Sequence, residues 1–161
     1  MLKDLSDRPK IEILEQAVER MVEARGHEIE FIVLFGSMAK GNWSLGSDYD
    51  VLVGLTVADE LRFIDRIGEF DSITGGFIET FPYDRPAWER MFAGFNLLFL
   101  EALADGVVLV DRGAWARMHD QFLSWRADGT LTRLPRGWSI AGPGQLAANL
   151  PLVSAAFRPH S

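Results

Sequence analysis

Two acidic side chains at a fixed spacing are the first residues in the chain that could do chemistry. Asp48 and Asp50 are separated by one residue and open an apolar run, Val51–Val53, that is typical of a β-strand. Side chains alternate faces along a strand, so the two carboxylates are expected to point the same way. Like charges held this close repel each other, and such pairs are tolerated mainly where a cation lies between them. The spacing predicts a divalent-metal site; the alternative is that Asp48 only caps a turn.

A turn upstream of the aspartates adds a second chemical element. An apolar strand, about 30–35, ends at Gly36 and Ser37. Glycine permits a sharp turn or a close approach of the backbone, and amides at such a turn suit a phosphate. The segment GSMAKG is not a Walker loop, because Asn42 and Trp43 stand where Lys and Ser/Thr are required. A phosphate-binding turn beside a carboxylate pair is what a nucleotidyl-transfer site needs.

A third carboxylate lies in the next predicted strand, which reads GFIETF from Gly76 to Phe81. Glu79 stands between large apolar neighbours, where a lone carboxylate is costly unless it is paired, hydrogen-bonded or bound to a metal. If this strand lies beside the strand of Asp50, Glu79 completes a three-carboxylate cluster. The alternative is a solvent-facing glutamate on an edge strand.

Length and composition indicate one domain, or one domain with a tail. The chain has 161 residues, of which 48% are hydrophobic, and this is enough for a substantial core. It contains no cysteine, so a disulfide framework and a thiolate metal site are excluded. No signal-peptide pattern and no membrane-length apolar stretch is found, so we expect a cytoplasmic protein without a membrane partner. The three histidines are isolated from one another, which argues against a zinc site.

Charge is distributed unevenly along the chain. Residues 1–111 carry 10 basic and 21 acidic side chains, whereas residues 112–161 carry 6 arginines and 2 aspartates. The acidic body argues against general binding to nucleic acid, which relies on basic side chains. The basic end could dock on an acidic partner or on RNA, or it is simply solvated. We predict a domain over 1–128 and a basic, Pro/Gly-rich tail over 129–161 that is ordered only when something binds it.

Taken together in this order, Gly36-Ser37, Asp48-x-Asp50 and Glu79 resemble the signature of the minimal nucleotidyltransferases of the DNA polymerase β superfamily. The match is close in order and spacing over residues 30–54, and residues 76–111 follow the usual course of that family. The resemblance implies an α/β fold of the polymerase-β nucleotidyltransferase type, with a small mixed sheet flanked by helices. Many relatives carry aspartate as the third carboxylate, and the longer side chain of Glu79 could shift one metal ligand.

The resemblance also implies roles for these residues. Asp48 and Asp50 would hold two Mg²⁺ ions that bridge the triphosphate and the attacking hydroxyl, and Glu79 would bind the metal on the acceptor side. The Gly-Ser turn would bind the β- and γ-phosphates of ATP or another nucleoside triphosphate. Lys40 would either add positive charge there or face the solvent. The reaction would release pyrophosphate.

The acceptor is less well defined, since the chain is too small to contain the domains with which polymerases hold a template. Small members of this superfamily often pair with HEPN-type ribonuclease toxins and act as antitoxins by transferring AMP onto a tyrosine of the toxin. The resemblance therefore implies transfer of AMP from ATP to a hydroxyl of such a partner protein. Two alternatives are a transferase for a small molecule, such as an antibiotic, and a binding antitoxin without catalysis. The sequence leaves open whether the protein forms a homo-oligomer.

Overall fold

The computed structural model describes residues 5–44 and 46–141. Described elements comprise six α-helices, six strands and a short 3-10 turn at Gly26–Glu28. The helices are α1 (Ile11–Arg25), α2 (Ser37–Lys40), α3 (Phe63–Thr74), α4 (Arg85–Ala93), α5 (Leu97–Asp105) and α6 (Ala114–Ala127). The strands are β1 (Ile29–Phe35), β2 (Asp50–Leu55), β3 (Glu79–Tyr83), β4 (Val107–Asp111), β5 (Leu131–Arg133) and β6 (Trp138–Ile140).

Four strands form one mixed sheet in the order β3-β2-β1-β4. The central strand β1 pairs antiparallel with β2 and with β4, and β2 pairs parallel with β3. The β1 sequence is almost wholly apolar because helices cover both faces of the sheet. The predicted small mixed sheet flanked by helices is confirmed. In the part of the chain described here, no helix is long and apolar enough to cross a membrane.

Two apolar clusters lie on opposite faces of this sheet. Side chains of α1 and α3 pack on one face, and side chains of α4, α5 and α6 pack on the other. Phe31 of β1 occupies the centre of the second cluster, with its ring centroid 5.2 Å from that of Trp88 and 5.0 Å from that of Trp115. Gly54 of β2 makes room for this ring, because a Cβ there would lie 2.3 Å from it. Any larger residue at position 54 would therefore displace the Phe31 ring.

A buried ion pair fixes the edge strand β3. Arg66 of α3 donates to both carboxylate oxygens of Asp59, at 2.7 and 2.6 Å, and to the carbonyl of Pro82 at 3.3 Å. Its side chain is only 4% exposed. The guanidinium lowers the pKa of the Asp59 carboxyl, mainly through these hydrogen bonds. Since Pro82 belongs to the strand that begins with Glu79, Arg66 holds that strand against α3.

Replacing Arg66 with leucine is expected to lower the free energy of unfolding by about 2 kcal/mol, because it leaves Asp59 without its counter-charge and the Pro82 carbonyl without a donor. Urea unfolding measures this loss. The matched control is Arg62→Leu, whose side chain is 79% exposed and pairs with Asp65 at the surface. That control should change stability by less than about 0.5 kcal/mol. Equal losses in the two variants would contradict the role given to Arg66.

The chain after α6 folds back as a hairpin. Strands β5 and β6 pair antiparallel, and the amide of Leu134 donates to the carbonyl of Gly137 at 3.0 Å across the turn. Leu131 is 1% exposed within the α4–α6 cluster, and the Trp138 ring lies 5.6 Å from that of Phe122. Residues 129–141 thus differ from the unstructured tail that we expected. The rest of the predicted tail lies outside the described residues, and the division into 1–128 and 129–161 stays a prediction.

Candidate active site

The Gly-Ser turn connects β1 to the single-turn helix α2. Gly36 adopts φ 75° and ψ −160°, a conformation that is essentially restricted to glycine. Its carbonyl accepts from the amides of Ala39 and Lys40, each at 3.1 Å. The preceding amides, of Ser37 and Met38, have no intrahelical acceptor because they belong to the first turn. Amides of this kind suit an anion such as a phosphate.

Arg8 supports this turn from outside. Its Nε donates to the carbonyl of Met38 at 2.6 Å, and its guanidinium pairs with Asp7 at 2.5 Å. The side chain is 11% exposed, so the contact is largely shielded from water. Nothing in the sequence pointed to this role, because Arg8 and Met38 are 30 positions apart. Helix α1 begins shortly after Arg8, at Ile11, and follows Lys10, which is in a left-handed conformation.

Sheet pairing brings two of the predicted carboxylates side by side. Asp50 and Glu79 are the first residues of β2 and β3, and they are directly opposed in the parallel register. The Glu79 amide donates to the carbonyl of Tyr49 at 2.9 Å, which fixes the start of β3 against the chain entering β2. Asp50 is half-buried and Glu79 is exposed. The condition set by the sequence, that the strand of Glu79 lies beside that of Asp50, is therefore met.

The environment of Asp50 changes its acidity. Burial, a hydrogen bond with Glu79, and the charges of Glu79 and Asp48 together raise the pKa of the Asp50 carboxyl to about 7. Phe35 is opposite Asp50 across the β1–β2 pair, and its ring packs edge-on against that of Phe81, with the centroids 5.3 Å apart. Without a cation, these effects favour the protonated form of Asp50, which shares its proton with Glu79 through the hydrogen bond.

The Gly-Ser turn passes directly beside the carboxylate pair. A Cβ added to Gly36 would lie 2.7 Å from Oδ2 of Asp50, closer than such atoms approach in proteins. Only glycine allows the backbone to pass the carboxylate here. The two chemical elements that the sequence predicted separately are therefore neighbours in one site.

Asp48 stands slightly apart from this pair. It lies in the loop before β2, is exposed, and acts on Asp50 through its charge. Within residues 5–44 and 46–141, no group of three or more histidine, cysteine, aspartate or glutamate side chains is close enough to hold a metal ion. The structure brings together Asp50 and Glu79, whereas Asp48 would have to turn toward them to act as a third ligand.

Lys40 is held at the end of α2 by a neighbouring helix. Its Nζ lies 3.9 Å from Oδ2 of Asp105, the last residue of α5. Asp105 also accepts from Arg133 of the hairpin at 2.5 Å, and these contacts lower the pKa of its carboxyl, with the hydrogen bond from Arg133 as the largest cause. The sequence did not indicate that α5 and the hairpin reach Lys40. Its role in phosphate binding stays a prediction.

The donor chemistry of the site fits a divalent cation. Mg²⁺ prefers carboxylate oxygens, and Asp50 and Glu79 present two carboxylates side by side. The raised pKa of Asp50 reflects its burial first and the neighbouring carboxylates second, and a bound cation would favour the ionised form against both. The bare backbone of Gly36 leaves the space next to Oδ2 of Asp50 clear of a side chain.

This pKa shift predicts a specific pH dependence of stability in the absence of metal. The pKa of Asp50 is raised in the folded state from 3.8 to about 7, so the folded protein holds the proton more tightly than the unfolded chain does. The contribution of Asp50 is therefore fully present below pH 3.8 and is lost as the pH rises through about 7. Asp50→Asn removes this titration. In EDTA, the melting temperature of the variant minus that of the wild type should therefore increase as the pH rises. If this difference in melting temperature stayed constant from about pH 5 to about pH 8.5, the raised pKa assigned to Asp50 would be contradicted.

Comparison with known families places this site in context. Residues 16–74 match the family model described as Polymerase beta, Nucleotidyltransferase. The match covers β1, the Gly-Ser turn and β2, and it ends before the strand of Glu79. This part of the chain is therefore similar to a polymerase β-type nucleotidyltransferase domain. A comparison with curated protein sequences finds no match.

Several solved structures are similar to this chain at low identity. A toxin–antitoxin complex with AMP-PNP has 16% identity and a TM-score of 0.48, covering 70% of this chain and 86% of that one. A candidate nucleotidyltransferase from Sulfolobus solfataricus has 20% identity and a TM-score of 0.47, covering 63% and 80%. A tri-AMPylated HEPN toxin of Shewanella oneidensis in complex with an MNT antitoxin has 15% identity and a TM-score of 0.44, covering 71% and 87%.

Proposed function

We propose that this protein is a Mg²⁺-dependent nucleotidyltransferase that moves AMP from ATP onto a hydroxyl of a partner protein. The observation that carries the proposal is the contact between Gly36 and the Asp50 carboxylate, with Glu79 directly opposite Asp50 in the sheet. A turn whose amides suit phosphate thus lies directly beside two carboxylates that suit a metal ion. This arrangement fits the transfer of a nucleotidyl group.

Each element has a distinct task in this proposal. Asp48, Asp50 and Glu79 would hold Mg²⁺, which, when bound, stabilises the charge on the attacking and leaving oxygens. The amides of Ser37 and Met38 would bind phosphate oxygens and orient the triphosphate. Glu79 lies at the exposed side of the pair, where an incoming hydroxyl has access. Asp50 must lose its proton before it can bind metal, so Mg²⁺ competes with the proton that burial and the neighbouring carboxylates favour.

The bond changes define the products. The acceptor oxygen forms a bond to the α-phosphorus, the bond between the α-phosphorus and the bridging oxygen breaks, and pyrophosphate leaves. The hydroxyl proton passes to solvent or to a nearby carboxylate. We propose a HEPN-type toxin as the acceptor, which is the pairing that the sequence resemblance implies, so that the protein would act as an antitoxin.

The test is transfer of label from ATP that carries ³²P at the α-phosphate. The purified protein is incubated with Mg²⁺ and labelled ATP, alone and together with the protein encoded beside it. Label that is retained on the partner after denaturation, and that EDTA prevents, is the expected result. Tight binding of the partner without any label would instead favour a binding antitoxin, and label on neither protein would direct the search to small-molecule acceptors.

A further inference from the structure

Residues 5–10 form an ordered turn that precedes α1. The Leu5 side chain is 1% exposed and belongs to the apolar cluster on the α1 and α3 face of the sheet. The carbonyl of Leu5 accepts from the amide of Arg8 at 2.9 Å, and the carbonyl of Lys10 accepts from that of Ile13, also at 2.9 Å. This stretch, the 5–10 segment, is therefore fixed at both of its ends. It lies outside residues 16–74, which match the family model.

One contact of the 5–10 segment is with the Gly-Ser turn. Arg8 donates from Nε to the carbonyl of Met38 at 2.6 Å, and a Cβ on Gly41 would lie 3.6 Å from the Arg8 guanidinium. Both partners lie toward the C-terminal end of α2, where the carbonyls of so short a helix have no intrahelical partner. Because α2 is a single turn that begins directly after Gly36, Arg8 fixes the far end of the Gly-Ser turn.

A second contact is with the strand that carries the carboxylates. Tyr49 directly precedes Asp50, and its hydroxyl donates to the carbonyl of Pro9 at 2.6 Å. Tyr49 is only 4% exposed and packs in the same apolar cluster as the 5–10 segment. Its backbone carbonyl accepts from the amide of Glu79 at 2.9 Å. Tyr49 thus links the 5–10 segment to the first residues of both β2 and β3.

The two contacts come from neighbouring residues of the segment. Arg8 holds the turn and Pro9 accepts from the carboxylate strand, and the proline ring restricts the backbone between them. A shift of the turn relative to Asp50 would stretch one of two hydrogen bonds of 2.6 Å that are largely shielded from water. Such bonds are costly to leave unmade. The spacing is critical, because Gly36 passes Asp50 at a distance that leaves no room for a Cβ.

We propose that the 5–10 segment is a positioning element of the site, which holds the Gly-Ser turn and the Asp50 strand at the separation that a metal-bound nucleoside triphosphate requires. Arg8 and Tyr49 are positioning residues in this inference, and neither touches the nucleotide. A displacement of about 1 Å at a reacting centre can cost about 100-fold in rate, so such an element has a large effect. The inference rests on the proposed nucleotidyl transfer and adds the residues that set its geometry.

Hydrogen exchange tests the link between turn and strand without nucleotide or metal. Tyr49→Phe removes only the hydroxyl that bonds to Pro9. It should nevertheless speed exchange of the Lys40 amide, which donates to Gly36 within the turn, by at least about tenfold. Conversely, Arg8→Met should speed exchange of the Glu79 amide on the carboxylate side. Both rates are measured relative to amides in the middle of β1, which report on global unfolding.

Two matched variants serve as controls. Tyr83→Phe removes the hydroxyl of the other tyrosine in the chain, at the end of β3 that is distant from Glu79. Arg112→Met removes an arginine that also donates to backbone carbonyls, at 2.7 Å, but at the opposite end of β1 from the Gly-Ser turn. Neither control should change the relative exchange rate of the Lys40 or the Glu79 amide.

Nucleotide affinity tests what the link contributes to the site. The probe is α,β-methylene-ATP with Mg²⁺, because its α–β linkage is not cleaved by nucleotidyl transfer. Tyr49→Phe and Arg8→Met should each raise the Kd of this analogue by roughly tenfold. The double variant should lose no more affinity than the weaker of the two single variants, since both changes break one link. The two control variants should bind the analogue as wild type does.

Several results would overturn the inference. They are faster exchange in each variant only at its own contact, losses of affinity that add in the double variant, or equal effects in the control variants. Failure of the proposed function looks different: wild type binds the analogue, the two variants weaken it as expected, and no partner takes label from ATP. Wild type that binds no nucleotide, with exchange linked as expected, would refute the transferase proposal and leave the link between the turn and the strand standing.

Discussion

Replacing Asp50 with asparagine is expected to reduce nucleotidyl transfer by about 10³-fold or more while the protein stays folded. Asparagine keeps the size and one oxygen of the side chain but removes the negative charge that binds a cation. The amide can still donate to Glu79, which takes the place of the shared proton, so the fold should tolerate the change. The measurement is the initial rate of label transfer from ATP at saturating Mg²⁺, together with the melting temperature. Asp48→Asn should have a similar effect on the rate.

The matched control is Asp120→Asn, which removes the same charge from an exposed position on α6. It should transfer at the rate of the wild type, because it lies outside the site. Full activity in Asp50→Asn would refute the metal role assigned to this carboxylate. Loss of transfer in the Asp120 control would show that net charge, rather than the position of Asp50, is responsible.

The sequence predicted the parts of the site that depend on local pattern. The apolar run before Gly36 and the run after Asp50 form β1 and β2, and their antiparallel pairing places the Gly-Ser turn beside the aspartates. The position of Glu79 beside Asp50 could not be predicted from the sequence of its own strand. Its approach to Asp50 requires a parallel pairing across the intervening α3, and the sequence could state this only as a condition.

Contacts between distant segments were not predictable from local pattern. Arg8 binds the Met38 carbonyl, and Asp105 pairs with Lys40, through side chains brought together only by the packed fold. The hairpin was missed for a different reason. Its strands are three residues each, too short for a period to be recognised, although Pro135 and Gly137 mark a turn between them. Burial of Leu131 against the helices orders a segment that composition alone describes as a tail.

The contact between Gly36 and Asp50 leads to the second large effect. Gly36→Ala is expected to reduce transfer by at least about 100-fold and to destabilise the fold by roughly 2–3 kcal/mol. The reason is twofold: alanine is strained at φ 75° and ψ −160°, and its Cβ would lie 2.7 Å from Oδ2 of Asp50. A backbone shift that relieves the strain or the clash would move the amides of the turn away from the Asp50 carboxylate.

Gly68→Ala serves as the control for this substitution, because Gly68 lies within α3 and an added Cβ there would meet nothing within 4 Å. That variant should be as active as the wild type and slightly more stable, since alanine favours a helix. Combining Gly36→Ala with Asp50→Ala, which removes the atom that the new Cβ would meet, separates the two causes. If the clash with Asp50 dominates, the loss of stability in the double variant does not exceed that of Gly36→Ala alone, because the two changes act on one contact. If backbone strain dominates, the stability changes of the two substitutions add, and the turn itself, rather than its closeness to the carboxylate, requires glycine.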